Sequence, residues 1–325
     1  MTASMNQPNT DRNGPKVSIV VPVYRSAECL EQLVFRVREA FERSGHSYEL
    51  ILVNDGSPDN SWAEIRRLVE AEPTVLGINL RRNAGQDNAL MAGIGEASGQ
   101  IVIIMDDDLQ HDPNDCDALI KKVESGFDIC YARFRRNRQA LWKNAGSWLN
   151  DKLANVVVRK PRHIYLSPFK AISGDVAREI TSYDGPYPYV DGLLFRVSSN
   201  VTEIEVEHHE RLAGKSTYNL FSSLAVWMKV ATLFSVVPLR IATFLGFFFA
   251  VVGLLLGVYF TIEKLVLRTD PVGWASLMVA VLVLGGAQLA CLGILGEYIG
   301  RTFLHLSKRP QYSVKEKICQ NQAWV

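Results

Sequence analysis

Ile101-Val102-Ile103-Ile104-Met105-Asp106-Asp107-Asp108-Leu109-Gln110 is the stretch that decides the fold. Its first five residues are apolar without interruption, the pattern of a strand buried on both faces. Three aspartates then stand at the C-terminal end of that strand, where open α/β sheets bind ligands. Packed carboxylates repel one another unless a cation lies between them. Mg²⁺ or Mn²⁺ suits such hard oxygen ligands and takes one or two carboxylates together with ligand phosphates. A cation held on a diphosphate can neutralise a departing nucleotide. On these residues alone a solvated acidic turn competes with a cation site, because Asp is common after strands.

Upstream, Val17 to Tyr24, Tyr48 to Val53 and Val75 to Leu80 also read as strands. Between them, Glu28 to Arg43, Trp62 to Ala71 and Gln86 to Ala97 carry helical periodicity. This alternation predicts an α/β fold, a mostly parallel sheet with helices on both faces. Two strand ends then present acids to one edge, Asp55 and the 106–108 group, and Pro22 and Tyr24 mark a third. Asp55-Gly56-Ser57 and Arg82-Asn83-Ala84-Gly85 are ordinary turns taken singly. At the carboxyl ends of strands from one sheet they form a candidate nucleotide pocket. No GxGxxG follows the first strand and no GxxxxGK[ST] occurs, which argues against a dinucleotide-binding oxidoreductase and a P-loop NTPase.

A formal net charge of +1 over 325 residues gives no case for nucleic-acid binding. The five cysteines are odd in number and form no CxxC pair, which argues against structural zinc and a disulfide framework. His208-His209 is a poor metal pair, since adjacent side chains on a strand face opposite ways. Residues 1–14 are polar, without an apolar core, and read as a disordered tail rather than a signal peptide.

Residues 241–262 and 272–296 are runs of 22 and 25 residues without a charge, each long enough to span a bilayer as a helix. A short polar link joins them, so they are expected to form a transmembrane hairpin. Basic residues cluster outside the pair, at Lys229 and Arg240 before it and Arg301, Lys308, Arg309, Lys315 and Lys317 after it. That bias places the N-terminal domain and both termini in the cytosol, on a multi-pass protein of the inner (plasma) membrane. Residues 216–238 are expected to hold interfacial helices rather than a third span, with Lys229 snorkelling to headgroups. The chain thus divides into a tail (1–14), a cytosolic α/β domain with the candidate pocket (15–215), the juxtamembrane segment (216–238), the hairpin (239–300) and a cytosolic basic tail (301–325).

Taken together, Ser18 to Tyr24, Asn54-Asp55-Gly56-Ser57, Arg82 to Gln86, Asp106 to Gln110, Arg211 to Tyr218, Pro238-Leu239-Arg240 and Gly296 to Arg301 resemble the family-2 glycosyltransferases of GT-A fold. The likeness is to the membrane-anchored group that acts on polyisoprenyl phosphates, and it covers roughly residues 16 to 314. The resemblance implies a nucleotide-binding set of Pro22, Tyr24, Asp55, Gly85, Asp106 and Asp107. It implies a metal and diphosphate site at Asp106, Asp108 and Gln110 for Mg²⁺ or Mn²⁺. Asn54 stands where the family has an acid, and Asp107 where it often has a small residue. Arg133, Arg135, Arg136, Lys143, Arg211 and Ser216 are the implied phosphate and acceptor contacts, with Arg211 also a catalytic candidate. A solvated basic face is the competing account of the run at 133–138. Asp191 falls near the position of a catalytic base, or caps the helix or strand that follows.

The implied reaction is inverting transfer of a sugar from a nucleotide sugar, UDP by preference, to a polyprenyl phosphate. A phosphate is already anionic near neutral pH, so placement and charge neutralisation carry such a transfer. Transfer to a hydroxyl acceptor with Asp191 as base is one alternative, and a non-catalytic nucleotide-sugar-binding membrane scaffold another. A processive polysaccharide synthase would carry Gln-x-x-Arg-Trp and more spans, neither of which occurs. Relatives assemble through the membrane region, which implies a homo-oligomer, a tetramer by resemblance.

Overall fold

The computed structural model describes residues 16–134, 164–206, 237–267, 273–307 and 310–320. They belong to two units, one built on an eight-stranded sheet and one on two long helices.

In the first unit β1 (Val17–Val23), β2 (Tyr48–Asn54), β3 (Val75–Leu80) and β4 (Ile101–Ile104) pair in parallel. They are joined by α1 (Ala27–Ser44), α2 (Ser61–Ala71) and α3 (Gln86–Glu96). Every residue of β1 and β4 is buried, because helices cover both faces. The pleat divides β1 between two cores. Val17, Ile19, Val21 and Val23 pack with the apolar stripes of α1 and α2, while Val20 packs with α3. Leu30, Leu33, Val34, Val37 and Phe41 form the α1 stripe at three- and four-residue spacing.

The sheet order is β7-β5-β6-β4-β1-β2-β3-β8. The chain moves from β1 outward through β2 and β3, then returns to lay β4 on the other side of β1. That reversal opens a crevice beyond the carboxyl ends of β1 and β4. Past β4 come α4 (Cys116–Glu124), β5 (Ile129–Phe134), β6 (Lys170–Ser173), α5 (Gly174–Thr181), α6 (Val190–Val197) and β7 (Val201–Val206). β6 runs antiparallel between β4 and β5, and β7 parallels β5 at the edge.

Residues 301–325 are not simply a basic tail, because Val314–Ile318 forms β8, antiparallel to β3. Ser313 O accepts from Arg81 N–H at 2.8 Å, and Glu316 pairs with Arg66. Two lysines in five residues disguise the strand. On an edge strand, however, charged side chains are what a sheet tolerates best.

The second unit holds α7 (Val237–Leu267) and α8 (Trp274–Leu306). Both are long and apolar enough to cross a membrane, with mean hydropathy 2.2 over Ala242–Tyr259 and 1.3 over Val283–Leu304. Bulky apolar side chains stand exposed along them, Phe244 at 74% and Leu289 at 72%. An apolar surface of that extent marks an interaction with a membrane or another apolar partner. α8 does not stop at Gly296 but continues through Glu297 and Arg301 to Leu306. Most of the segment 216–238, expected to be interfacial helices, lies outside the described residues.

Candidate active site

The crevice holds a cavity of about 310 Å³. Pro22, Val23 and Tyr24 at the end of β1 and Asp55 after β2 form one wall. Asn83, Gly85 and Gln86 at the start of α3 and Asp106, Asp107 and Asp108 after β4 complete it. The structure therefore brings together, around one space, every nucleotide-site residue expected from the sequence.

Each member is held by a different device. Asp55 is 3% exposed and accepts N–H bonds from Ala84 at 2.6 Å and Gly85 at 2.9 Å, one on each oxygen. Burial pushes its carboxyl above the ordinary Asp range, and the two N–H bonds pull the other way. Gly56 beside it has φ +58°. A Cβ there would lie 2.5 Å from Asn83 N, so the turn and the α3 loop touch only because the residue is glycine. Asn54, the departure from the family's acid, is buried with its amide 2.8 Å from that of Asn79 on β3. Tyr24 keeps 44% of its surface exposed, with the Arg25 guanidinium 5.4 Å from its ring centroid.

The acid loop folds tightly. Leu109 has φ +63°, a left-handed conformation that costs a non-glycine residue about 1–2 kcal/mol. Its side chain is 3% exposed in the core, and such burial is worth about 1.5–3 kcal/mol, so burial outweighs the strain. Asp108 Oδ1 accepts from Gln110 N–H at 3.2 Å, and Asp106 N–H donates to His111 Nδ1 at 3.1 Å. Gln86 Nε2 donates to Asp106 Oδ1 at 2.8 Å. Asp107 turns to β1 and accepts from Tyr24 N–H at 3.2 Å. Burial raises its carboxyl above the ordinary range, against hydrogen bonds from Ser26 and Tyr24. The middle aspartate thus ties the acid loop to the end of β1.

Among the described residues no group of three or more His, Cys, Asp or Glu side chains is poised to hold an ion. The donor set still fits Mg²⁺ or Mn²⁺, because such ions are bound through one or two carboxylates with substrate phosphates completing the shell. Asp106 and Asp108 line the cavity; Gln110 does not.

A family model described as glycosyl transferase family 2 matches residues 18–181. The chain belongs to that family. A second model, the GtrB C-terminal hairpin, matches residues 237–302, the span of α7 and most of α8. The SfII prophage-derived bactoprenol glucosyl transferase of Shigella flexneri is 33% identical over 304 residues, covering 93% of this chain and 98% of that protein. An undecaprenyl-phosphate 4-deoxy-4-formamido-L-arabinose transferase of Proteus mirabilis is 33% identical over 311 residues, covering 93% and 94%. Among solved structures, glucosyl-3-phosphoglycerate synthase of Mycobacterium tuberculosis superposes with a TM-score of 0.50 at 16% identity. The superposition covers 67% of this chain and 78% of that one, a likeness of fold.

The remaining candidates of this family-2 glycosyltransferase are placed differently. Asp191, on the first turn of α6, does not line the cavity. Its Oδ1 is paired with Lys170, which is 3% exposed, and accepts from Tyr131 OH at 2.8 Å. Lys170 also lies 5.1 Å from the Tyr131 ring centroid. Arg133 is exposed on β5 and paired with Glu203 of β7 at 2.8 Å, which raises its pKa. Arg135, Arg136, Lys143, His208, His209, Arg211 and Ser216 lie outside the described residues. The sequence placed Asn83 in a pocket turn and Gln86 in a matching motif without giving either a role, and did not single out His111; the fold brings all three to the site. For Asn83 and Gln86 the available signal was position, at the end of a third parallel strand; for His111 it was only adjacency to the acid loop.

Proposed function

We propose that this glycosyltransferase moves a sugar from a nucleotide sugar, in the first place a UDP-sugar, to a polyprenyl phosphate such as undecaprenyl phosphate. The product is a lipid-linked monosaccharide for cell-envelope glycan synthesis or modification. The observation that carries the reading is the cavity at the β1/β4 crevice, with Asp55 on one wall and Asp106 and Asp108 on another. The relatives matched across both sheet and hairpin, a bactoprenol glucosyl transferase and an undecaprenyl-phosphate sugar transferase, supply the acceptor class.

In this mechanism the exposed Tyr24 is assigned to the nucleotide base, and Asp55 holds the α3 loop against the nucleotide. Asp106 and Asp108 would hold a divalent cation, Mg²⁺ or Mn²⁺, which when bound offsets charge on the leaving diphosphate. An oxygen of the acceptor phosphate forms the new bond to the anomeric carbon as the bond to the nucleoside diphosphate breaks, with inversion. The nucleophile is already ionised, so no general base is required. Asp191, paired with Lys170, is assigned to holding α6 against the sheet rather than to proton abstraction. Arg133, Arg135, Arg136, Lys143, Arg211 and Ser216 are assigned to the acceptor phosphate on family resemblance. The hairpin keeps the enzyme at the bilayer that carries its acceptor, with the sheet unit and both termini on the cytosolic side.

The test is a panel of nucleotide sugars presented to the full chain in nanodiscs with undecaprenyl phosphate, with Mn²⁺, Mg²⁺ or chelator. A metal-dependent, acid-labile lipid-linked monosaccharide is expected, with release of nucleoside diphosphate. Transfer only to a hydroxyl acceptor, or binding without turnover of any donor, would overturn it.

A further inference from the structure

We propose that His111 is the positioning residue for Asp106: a buried imidazole, stacked on two aromatic rings, that fixes the backbone from which the first carboxylate of the acid loop projects. This rests on the cation site proposed above.

The need arises where β4 ends. The last backbone bond from this strand to β1 is Met105 N–H to Val20 O at 3.2 Å. The next donor, Asp106 N–H, has left the sheet ladder, and an unpaired donor in a part-buried place is costly. The left-handed turn at Leu109 brings the chain back so that His111 Nδ1 meets that N–H at 3.1 Å. To accept, Nδ1 must keep its lone pair, so the ring proton sits on Nε2.

The ring cannot easily turn away. His111 is 3% exposed. It stacks on Phe169 with centroids 5.0 Å apart and on Phe134 with centroids 5.6 Å apart, each at 11° between planes. Phe134 ends β5 and Phe169 immediately precedes β6, so the far half of the sheet sets the plane of the imidazole. The imidazole in turn fixes the direction of the Asp106 peptide, and the Gln86 amide fixes its carboxylate. Residues that orient a metal-binding carboxylate are worth about 10–100-fold in metal affinity.

Two substitutions separate the acceptor from the ring. His111→Phe keeps a flat ring against Phe134 and Phe169 and removes the acceptor. His111→Asn keeps an acceptor oxygen near the place of Nδ1 and removes the stack. Mn²⁺ binding to the full chain in nanodiscs is read by loss of the free-ion EPR signal, with saturating UDP, beside a thermal melt. His111→Phe is expected to weaken Mn²⁺ binding by about tenfold or more with little change in melting temperature. His111→Asn is expected to melt earlier and hold Mn²⁺ within about threefold of the parent. Parent-like affinity in a folded His111→Phe protein would overturn the assignment. So would weakened binding in a folded His111→Asn protein, which also decides the matter if the Phe variant does not fold. Asp108→Asn is the control: if it binds Mn²⁺ like the parent, the cation reading itself fails, whatever His111 does.

Discussion

Two groups of acids in this protein differ in what their carboxylates face. Asp191 is matched inside the fold, by the buried ammonium of Lys170 and the hydroxyl of Tyr131. Asp106, Asp107 and Asp108 follow one another around a cavity. Hydrogen bonds shape their loop: Asp106 Oδ1 accepts from the Gln86 amide, Asp106 N–H donates to His111 Nδ1, and Asp107 accepts from Tyr24 N–H. A carboxylate joined to a buried lysine is committed to architecture. Carboxylates that follow one another along the wall of a cavity are placed instead to meet a ligand. In isolation, each acid looks equally suited to chemistry.

The largest effect should come from Asp108→Asn. The amide retains an oxygen to accept from Gln110 N–H, so the loop should keep its shape. Transfer to polyprenyl phosphate should fall by about 10²–10³-fold, with an unchanged melting temperature. Near-parent turnover would remove the distinction between the two groups.

Lys170→Met should act on stability. It leaves Asp191 as an uncompensated charge beside a buried ring, a loss of about 3–5 kcal/mol read in a thermal or denaturant melt. A Lys170→Met/Asp191→Leu double variant should recover much of it. Asp191→Asn offers the sharper test. Lost turnover at an unchanged melting temperature would move Asp191 into the chemical group.

The smallest effect concerns an acid outside both groups. Asp59 is exposed, but hydrogen bonds from Ser57, Ser61 and Ala27 outweigh its partial burial and hold its carboxyl at about 2. A depressed folded pKa means stability that is present above the ordinary value of 3.8 and lost as pH falls through about 2. Solvent screening keeps the contribution below about 1 kcal/mol. Asp59→Asn should therefore lower the melting temperature slightly at neutral pH, with the difference shrinking between pH 4 and pH 2.

Much of this was legible in the chain. The apolar runs of β1 to β4 and the stripes of α1 to α3 are local patterns, and strands buried on both faces can hardly read otherwise. The acids after β2 and β4 were legible as a pocket because parallel strands put all their carboxyl ends on one edge. β8 was not, since an edge strand with alternating charge resembles a solvated tail. The Lys170 partner of Asp191 was not either, because 21 residues separate them and only the antiparallel return of β6 brings them together.

By itself, the sequence determined the alternation of strand and helix, the acid-bearing edge and the two long apolar helices. Those follow from hydrophobic period and run length, which are properties of neighbouring residues. The tertiary structure decided which acid is neutralised, which is pinned to β1 and which ring stands beneath Asp106. Burial, hydrogen bonding and ion pairing depend on residues distant in the chain, and only the closed sheet sets those distances.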